Sequence, residues 1–272
     1  MTKNIVITGS TSGIGQELVR QFKADDCVIF CGYRNKAKLP EDLPENVVPF
    51  YIDMTDRKSI ADAAEYIKSK AEKIDILINV AGSVVAGPVE LLDTDRLREQ
   101  FDVNVFSHID FSQKLLPVLL DGRIVNISSM SSFGNFPFIS PYCASKRALD
   151  IFFNAFNVEN HKNIKVISIK PGVISTPIWE KSVESNLKAI TDCGDYEPEM
   201  NFIKNNALKN TGKGLKVEQA AGFIKNVALK KNPKSSYTLG KDAKFAQILS
   251  YLPQDVINKL IKFGLKSRMK KS

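Results

Sequence analysis

Residues Asn4 to Gly15 read Asn-Ile-Val-Ile-Thr-Gly-Ser-Thr-Ser-Gly-Ile-Gly, and no other short run restricts the folds open to this chain so strongly. An apolar segment suited to a buried strand, Ile5 to Thr8, enters a turn with glycines at 9, 13 and 15, and helical periodicity begins at about residue 14. Glycine reaches backbone conformations closed to other residues and lets another group approach the main chain closely. A strand, a glycine turn and a helix start, in that order, form a cradle for an anion, because the first amides of the helix point outward without partners. The spacing Gly9-x-x-x-Gly13-x-Gly15 differs from the commoner dinucleotide turn but meets the same needs of tight turn, close pyrophosphate approach and helix packing.

The rest of the chain continues that rhythm. Apolar runs at Ile5 to Thr8, Val28 to Cys31, Val47 to Tyr51, Ile74 to Val80, Arg123 to Ser128, Lys165 to Ile169 and Ser236 to Leu239 alternate with helical patterns at about 14–24, 56–73, 95–118, 141–158 and 217–230. Alternation of this kind predicts an α/β fold, Rossmann-like and doubly wound, with a mainly parallel seven-stranded sheet flanked by helices. At 272 residues and 43% hydrophobic the chain is expected to form a single domain. The polar, asparagine-rich stretch Ile178 to Lys216 is longer than a connection in such a core should be, and its apolar residues Trp179, Leu187, Ile190, Phe202, Ile203 and Leu208 favour a substrate lid over a disordered insertion.

Other features narrow the function classes. No leader-like segment precedes residue 4 and no apolar stretch approaches the ~18 residues a membrane span needs, so a cytoplasmic protein is expected. Cys27, Cys31, Cys143 and Cys193 make no CxxC pair and only His108 and His161 could join them, which predicts reduced thiols and no metal site. The net charge of +8 would attract any anionic partner without choosing among nucleic acid, membrane and cofactor, and the basic run from Lys259 to Lys271 carries no nucleic-acid motif. No nucleic-acid partner is expected.

Two further sites carry chemistry. The end of the second strand should reach the ribose of a bound dinucleotide, where an acid would hold the free hydroxyls of NAD and a cation would meet a 2′-phosphate. Here the chain reads Cys31-Gly-Tyr-Arg34-Asn-Lys36, without an acid, so Arg34 predicts a preference for NADP(H), with NAD(H) as the second cofactor. Downstream, Tyr142 and Lys146 lie four residues apart and would share a helix face behind Ser140-Pro141, a good cap and first-turn pair. A phenol is a poor base near neutrality, but a neighbouring ammonium favours its ionised form. Tyr142 could then exchange a proton with a substrate oxygen while Ser129, just past the fifth strand, holds that oxygen at the right distance. Serines at strand ends more often turn the backbone, a reading that Ser128, Ser129, Ser131 and Ser132 share. Cys143 is read as packing and His108 as a satisfied core histidine.

With these residues in hand, the sequence resembles the short-chain dehydrogenase/reductase family to about residue 240, with its ending similar to the retinol and hydroxysteroid dehydrogenase branch. Thr8-Gly-x-x-x-Gly-Ile-Gly15 is similar to the family's cofactor turn, Asn79-Val-Ala-Gly82 to its NNAG segment with Val80 in place of the second asparagine, and Pro171-Gly-Val-Ile-Ser-Thr176 to the segment that cradles the nicotinamide. The resemblance implies catalytic roles for Asn104, Ser129, Tyr142 and Lys146, with Asn104 holding a proton-relay water and Lys146 also binding the nicotinamide ribose. It implies cofactor contacts from Gly9, Ser10, Ser12, Gly13, Ile14 and Gly15, from Arg34, Asp53 and Met54, from Asn79, Ala81 and Gly82, and from Pro171, Gly172, Ile174 and Thr176.

The expected function is interconversion of an alcohol and a ketone or aldehyde on a hydrophobic steroid-, retinoid- or lipid-like molecule. Phe133, Phe136 and Trp179 are candidates to line an apolar substrate pocket, with core packing the competing reading, which Phe138 shares. Reduction of an acyl-dihydroxyacetone phosphate or a 3-ketoacyl group is the alternative within enzymes, and a nucleotide-sensing binding protein the alternative outside them. A homodimer or homotetramer is expected. Residues 245–272 form an amphipathic extension in which Leu252, Val256, Leu260 and Ile257, Ile261, Leu265 recur at four-residue steps among lysines. Packing against the domain or a second subunit competes there with reversible contact on an anionic membrane.

Overall fold

The computed structural model describes residues 2–176, 178, 182, 185–186, 193–211 and 214–269. Seven strands, β1 (Lys3–Ile7), β2 (Cys27–Tyr33), β3 (Val47–Tyr51), β4 (Ile76–Asn79), β5 (Arg123–Ile127), β6 (Lys165–Pro171) and β7 (Ser236–Leu239), form one parallel sheet in the order β3-β2-β1-β4-β5-β6-β7. The inner strands are largely apolar because both faces are covered, and alternate residues divide between two cores. Val6, Phe30, Phe50, Leu77, Ile124 and Val166 point to one face, where α2 (Arg57–Lys70), α4 (Ser107–Leu115) and α5 (Ser140–Glu159) pack. Ile5, Ile7, Ile29, Ile78, Val125 and Ile167 point to the other, against Leu18 and Phe22 of α1 (Gly13–Phe22) and against Ile224 of α7 (Val217–Leu229).

The order of the strands decides where a ligand can sit. The chain winds outward from β1 through β2 to β3, then returns to place β4 on the other side of β1, with Ile5 beside both Ile29 and Ile76. At that reversal the connections leave in opposite directions and open a crevice at the carboxyl ends of β1 and β4. The turn after β1, the Asn79–Gly82 segment, the serines after β5 and the Pro171–Thr176 segment all lie at these strand ends.

The helix expected over 95–118 is not uniform. It comprises α3 (Thr94–Phe101), a π-helical turn at Asp102–Phe106, α4 and a final 3-10 turn at Leu116–Val118. Between β6 and α7 the stretch expected to be a lid contains α6 (Glu197–Thr211); Met200, Cys193 and Tyr196 pack with Val85, Leu92, Leu97 and Phe138. The C-terminal extension is two helices, α8 (Lys241–Leu249) and α9 (Gln254–Met269), beginning slightly before the expected boundary. No described helix is long and apolar enough to cross a membrane.

Candidate active site

The glycine turn is tied to the strands on both sides of it. Thr8, fully buried, accepts hydrogen bonds through Oγ1 from the amides of Val80 at 3.0 Å and Ala81 at 3.2 Å, which ties the turn after β1 to the segment after β4. Ser10 donates its hydroxyl to the Gly32 carbonyl at 2.7 Å and so joins the turn to β2. Gly9 has φ +63°, and a Cβ there would stand 2.9 Å from the Ala81 Cα. A Cβ on Gly15 would stand 2.3 Å from the Gly9 carbonyl oxygen. Gly13, at φ +53°, differs: its bare Cα looks across at Thr176, whose side chain would be 3.4 Å from an added Cβ. The first turn of α1 carries no acid, and the Ser12 side chain does not cap the helix, so its positive end is left for an outside anion. This cradle fits a dinucleotide pyrophosphate.

At the outer end, Arg34 is exposed one residue past β2 and makes no ion pair among the described residues. Tyr33 pairs with Tyr51, so Arg34 and Asp53 leave neighbouring strands almost level with one another. One Asp53 carboxylate oxygen is taken by the Thr55 amide and hydroxyl at 2.9 and 2.8 Å. Met54 is buried beside it and lines a cavity of about 510 Å³ between α2 and α4.

The reactive groups lie at the other end. Tyr142 and Lys146 stand on one face of α5, the ammonium 5.9 Å from the phenol ring centre. Tyr142 is 7% exposed and shares a hydrogen bond with Ser129. Burial pushes its hydroxyl up to about 12, with the Ser129 bond pulling the other way. This reverses the direction expected from sequence, because burial outweighs the Ser129 bond; the Lys146 ammonium donates to the Ile127 carbonyl at 2.9 Å. Lys146 is 4% exposed, and burial brings its ammonium down to about 8 against the opposing charge of Asp150.

Asn104 sits in the π-helical turn, fully buried, its Oδ1 accepting from the Ser83 amide at 2.9 Å while Nδ2 donates to the Ser83 carbonyl and the Ser145 hydroxyl, both at 3.0 Å. π-Helical turns recur where a helix must present a side chain out of its regular position. A Cβ on Gly82 would lie 3.3 Å from Asn104 Oδ1 and 3.6 Å from Lys146 Nζ, so glycine keeps open the space between those two groups. His108, whose Nε2 lies 2.9 Å from the Ala81 carbonyl, is driven to about 3 by burial and by Lys146, and is neutral.

A sequence profile of the short chain dehydrogenase family matches residues 3–187. The chain belongs to the short-chain dehydrogenase family. It is 30% identical to an NADPH-dependent 3-dehydrocapnine reductase from Ornithobacterium rhinotracheale over 98% of this chain and 99% of that one. It is 26% identical to a 3-ketodihydrosphingosine reductase from Bacteroides thetaiotaomicron, covering 93% and 94% of the two chains. In fold it resembles the crystal structure of a short-chain dehydrogenase from Streptomyces avermitilis, with a TM-score of 0.78, 23% identity and 98% coverage of both chains. The chain is therefore an oxidoreductase of the short-chain dehydrogenase/reductase type.

Within this short-chain dehydrogenase site, several expected residues take other places. Asn79 turns its side chain into the core, donating to Asn126 Oδ1 at 2.8 Å, because side chains alternate along β4 and its position faces α4. Phe133 is half-buried with the Lys170 ammonium 5.5 Å from its ring centre, Phe136 is half-buried, and Trp179 lies outside the described residues. Pro171 and Gly172 are pinned from behind: the Asp242 carboxylate accepts the Val173 amide at 2.7 Å, and a Cβ on Gly172 would collide with it. Thr176 faces Gly13, and Ile174 bridges to Leu215. Asp242, Ser145 and Asp150 escaped the sequence reading, although Asp150 follows Lys146 by the same four-residue step that joins Lys146 to Tyr142. Among the described residues no cluster of His, Cys, Asp and Glu could hold a metal ion.

Proposed function

We propose that the protein is an NADP(H)-dependent reductase that interconverts a ketone and a secondary alcohol on an apolar, lipid-like molecule, through Asn104, Ser129, Tyr142 and Lys146. The observation that carries this reading is the Tyr142–Ser129 hydrogen bond with the phenol at about 12, which leaves a protonated hydroxyl at neutral pH beside a serine that can hold a carbonyl oxygen. Gly13, the amides opening α1, Arg34, Asp53 and Thr176 would hold the nucleotide, which when bound supplies or accepts the hydride. Tyr142 gives its proton to the substrate oxygen in reduction and takes one back in oxidation. Lys146, protonated below about pH 8 and held on the Ile127 carbonyl with its ammonium 5.9 Å from the phenol ring centre, can return the proton through the gap that Gly82 keeps open toward Asn104.

The preference for NADP(H) rests on Arg34 where an acid would serve NAD(H), and the NADPH-dependent relative supports it. The substrate class is supported by two relatives named for the reduction of 3-dehydrocapnine and 3-ketodihydrosphingosine. The segment from Cys193 through α6, together with Ser182 and Asn186 bonded to the Val84 carbonyl at 3.0 and 3.1 Å, serves as the substrate lid. Exposed Ile151 and Phe152 on α5 support assembly as a homodimer or larger homo-oligomer. Nicotinamide absorbance, followed with both nucleotides over a panel of long-chain keto bases, steroids, retinoids and small ketones, tests the proposal. Turnover of a long-chain ketone with NADPH is expected, lost in Tyr142→Phe with nucleotide binding intact, and Arg34→Asp should shift preference toward NADH. A wild-type preference for NADH, or undiminished turnover by Tyr142→Phe, overturns it.

A further inference from the structure

We infer that α8 and α9 form a docking surface for an anionic lipid bilayer, next to the substrate side of the cleft. The four-residue pattern of the tail resolves into two rows with different fates. Ile257, Ile261 and Leu265 are partly covered and Asn258 bonds to Asn135 at 3.0 Å, so that row faces the protein. The other row, Leu252, Val256 and Leu260, faces outward at 39, 41 and 50% exposed, as do Phe245, Ile248, Tyr251 and Phe263 at 62, 65, 79 and 75%. Large apolar side chains following one another in the open along two successive helices mark a contact surface.

Charge selects the occupant. Lys241, Lys244, Lys259 and Lys262 are exposed among these apolar residues, and the sequence continues with Lys266, Arg268, Lys270 and Lys271. Of the two acids on these helices, Asp242 is bonded to the Val173 amide and only Asp255 stands beside the patch. A twofold contact with a second copy would bring these lysines against their own counterparts, which like charges oppose. A leaflet of anionic headgroups meets both requirements, with apolar side chains at the acyl boundary and ammonium groups at the phosphates. The position is also suited to a lipid-like substrate: α8 packs against the Met130–Phe133 turn that follows Ser129, and Gln254 of α9 donates to Asn135 at 3.2 Å.

The test is flotation of the full chain with vesicles of phosphatidylcholine plus phosphatidylglycerol, against phosphatidylcholine alone. Wild type is expected to float with the anionic vesicles only and to be released by high salt. Leu260→Asp with Phe263→Asp, and separately Lys259→Glu with Lys262→Glu, should each weaken binding by about tenfold or more. NADPH oxidation on a water-soluble ketone and the melting curve should stay near wild type; should the aspartate pair not fold, the glutamate pair reads the same surface. Failure of wild type to float with anionic vesicles overturns the inference, as does equal flotation of folded variants. Loss of an oligomer on substitution, seen by light scattering in a protein that does not float, would assign the face to a second copy instead.

Discussion

Lys146→Met is expected to make the protein more stable at neutral pH while removing its turnover. A lysine ammonium ordinarily titrates near 10.5, and burial brings Lys146 to about 8. A difference of about 2.5 units corresponds to about 3 kcal/mol, at ~1.4 kcal/mol per unit. The sign follows from where the proton is held. Below pH 8 the lysine is charged in both folded and unfolded chains, so folding bears the whole cost of desolvating the ammonium. Between 8 and 10.5 the unfolded chain binds the proton more strongly, so the cost falls as pH rises and vanishes above 10.5. Methionine has a similar shape and no charge to desolvate, but it gives up the bond to the Ile127 carbonyl, worth about 1 kcal/mol. Asp150 keeps Lys170 at 3.4 Å. The net gain at pH 7 is therefore about 2 kcal/mol, shrinking by ~1.4 kcal/mol per unit above pH 8 and reversing between about pH 9 and 10. Urea unfolding of both proteins followed by circular dichroism from pH 7 to 10 measures this difference, and Tyr142 and Cys143, which also titrate late, are common to both chains and cancel. A variant less stable than wild type at pH 7, or a difference that does not change with pH, would refute the reasoning.

Further outcomes are expected. Ketone reduction should hold steady on the acid side and fall above about pH 8 as Lys146 loses its proton, read from initial rates of NADPH oxidation with nucleotide binding measured in parallel. Gly82→Ala puts a methyl group 3.3 Å from Asn104 Oδ1 and 3.6 Å from Lys146 Nζ, and should lower kcat about tenfold or more with KM little changed, because it fills the relay gap rather than the substrate pocket. Thr8→Val leaves the Val80 and Ala81 amides without their acceptor and should cost about 2–6 kcal/mol, at ~1–3 per donor, seen as a lowered urea midpoint. Below about pH 6.5, protonation of buried His108 favours the unfolded chain, which binds that proton where the folded one does not until about pH 3, so stability should decline steadily through that window.

The inner strands were legible because a strand buried on both faces must be largely apolar, and the two edge strands, Val47–Tyr51 and Ser236–Leu239, have the expected bounds. The helical run expected over 95–118 is continuous from Thr94 to Val118, but the π-helical turn within it at Asn104 was not legible, since one extra residue in a turn leaves no mark in residue type. Asn79 was read as a cofactor contact from its motif, and only the pairing of β4 with β5 reveals Asn126 as its partner.

The residues of this chain, taken alone, determined the α/β class, the glycine turn that can cradle a phosphate, and the Ser129, Tyr142 and Lys146 set, because each of those depends on spacing within one or two neighbouring elements. Tertiary structure decided what the groups experience. Whether Lys146 faces the phenol or Ile127, how far burial displaces both protons, and which apolar row of α9 meets the protein all depend on contacts between segments far apart in the chain, where packing and desolvation outweigh local pattern.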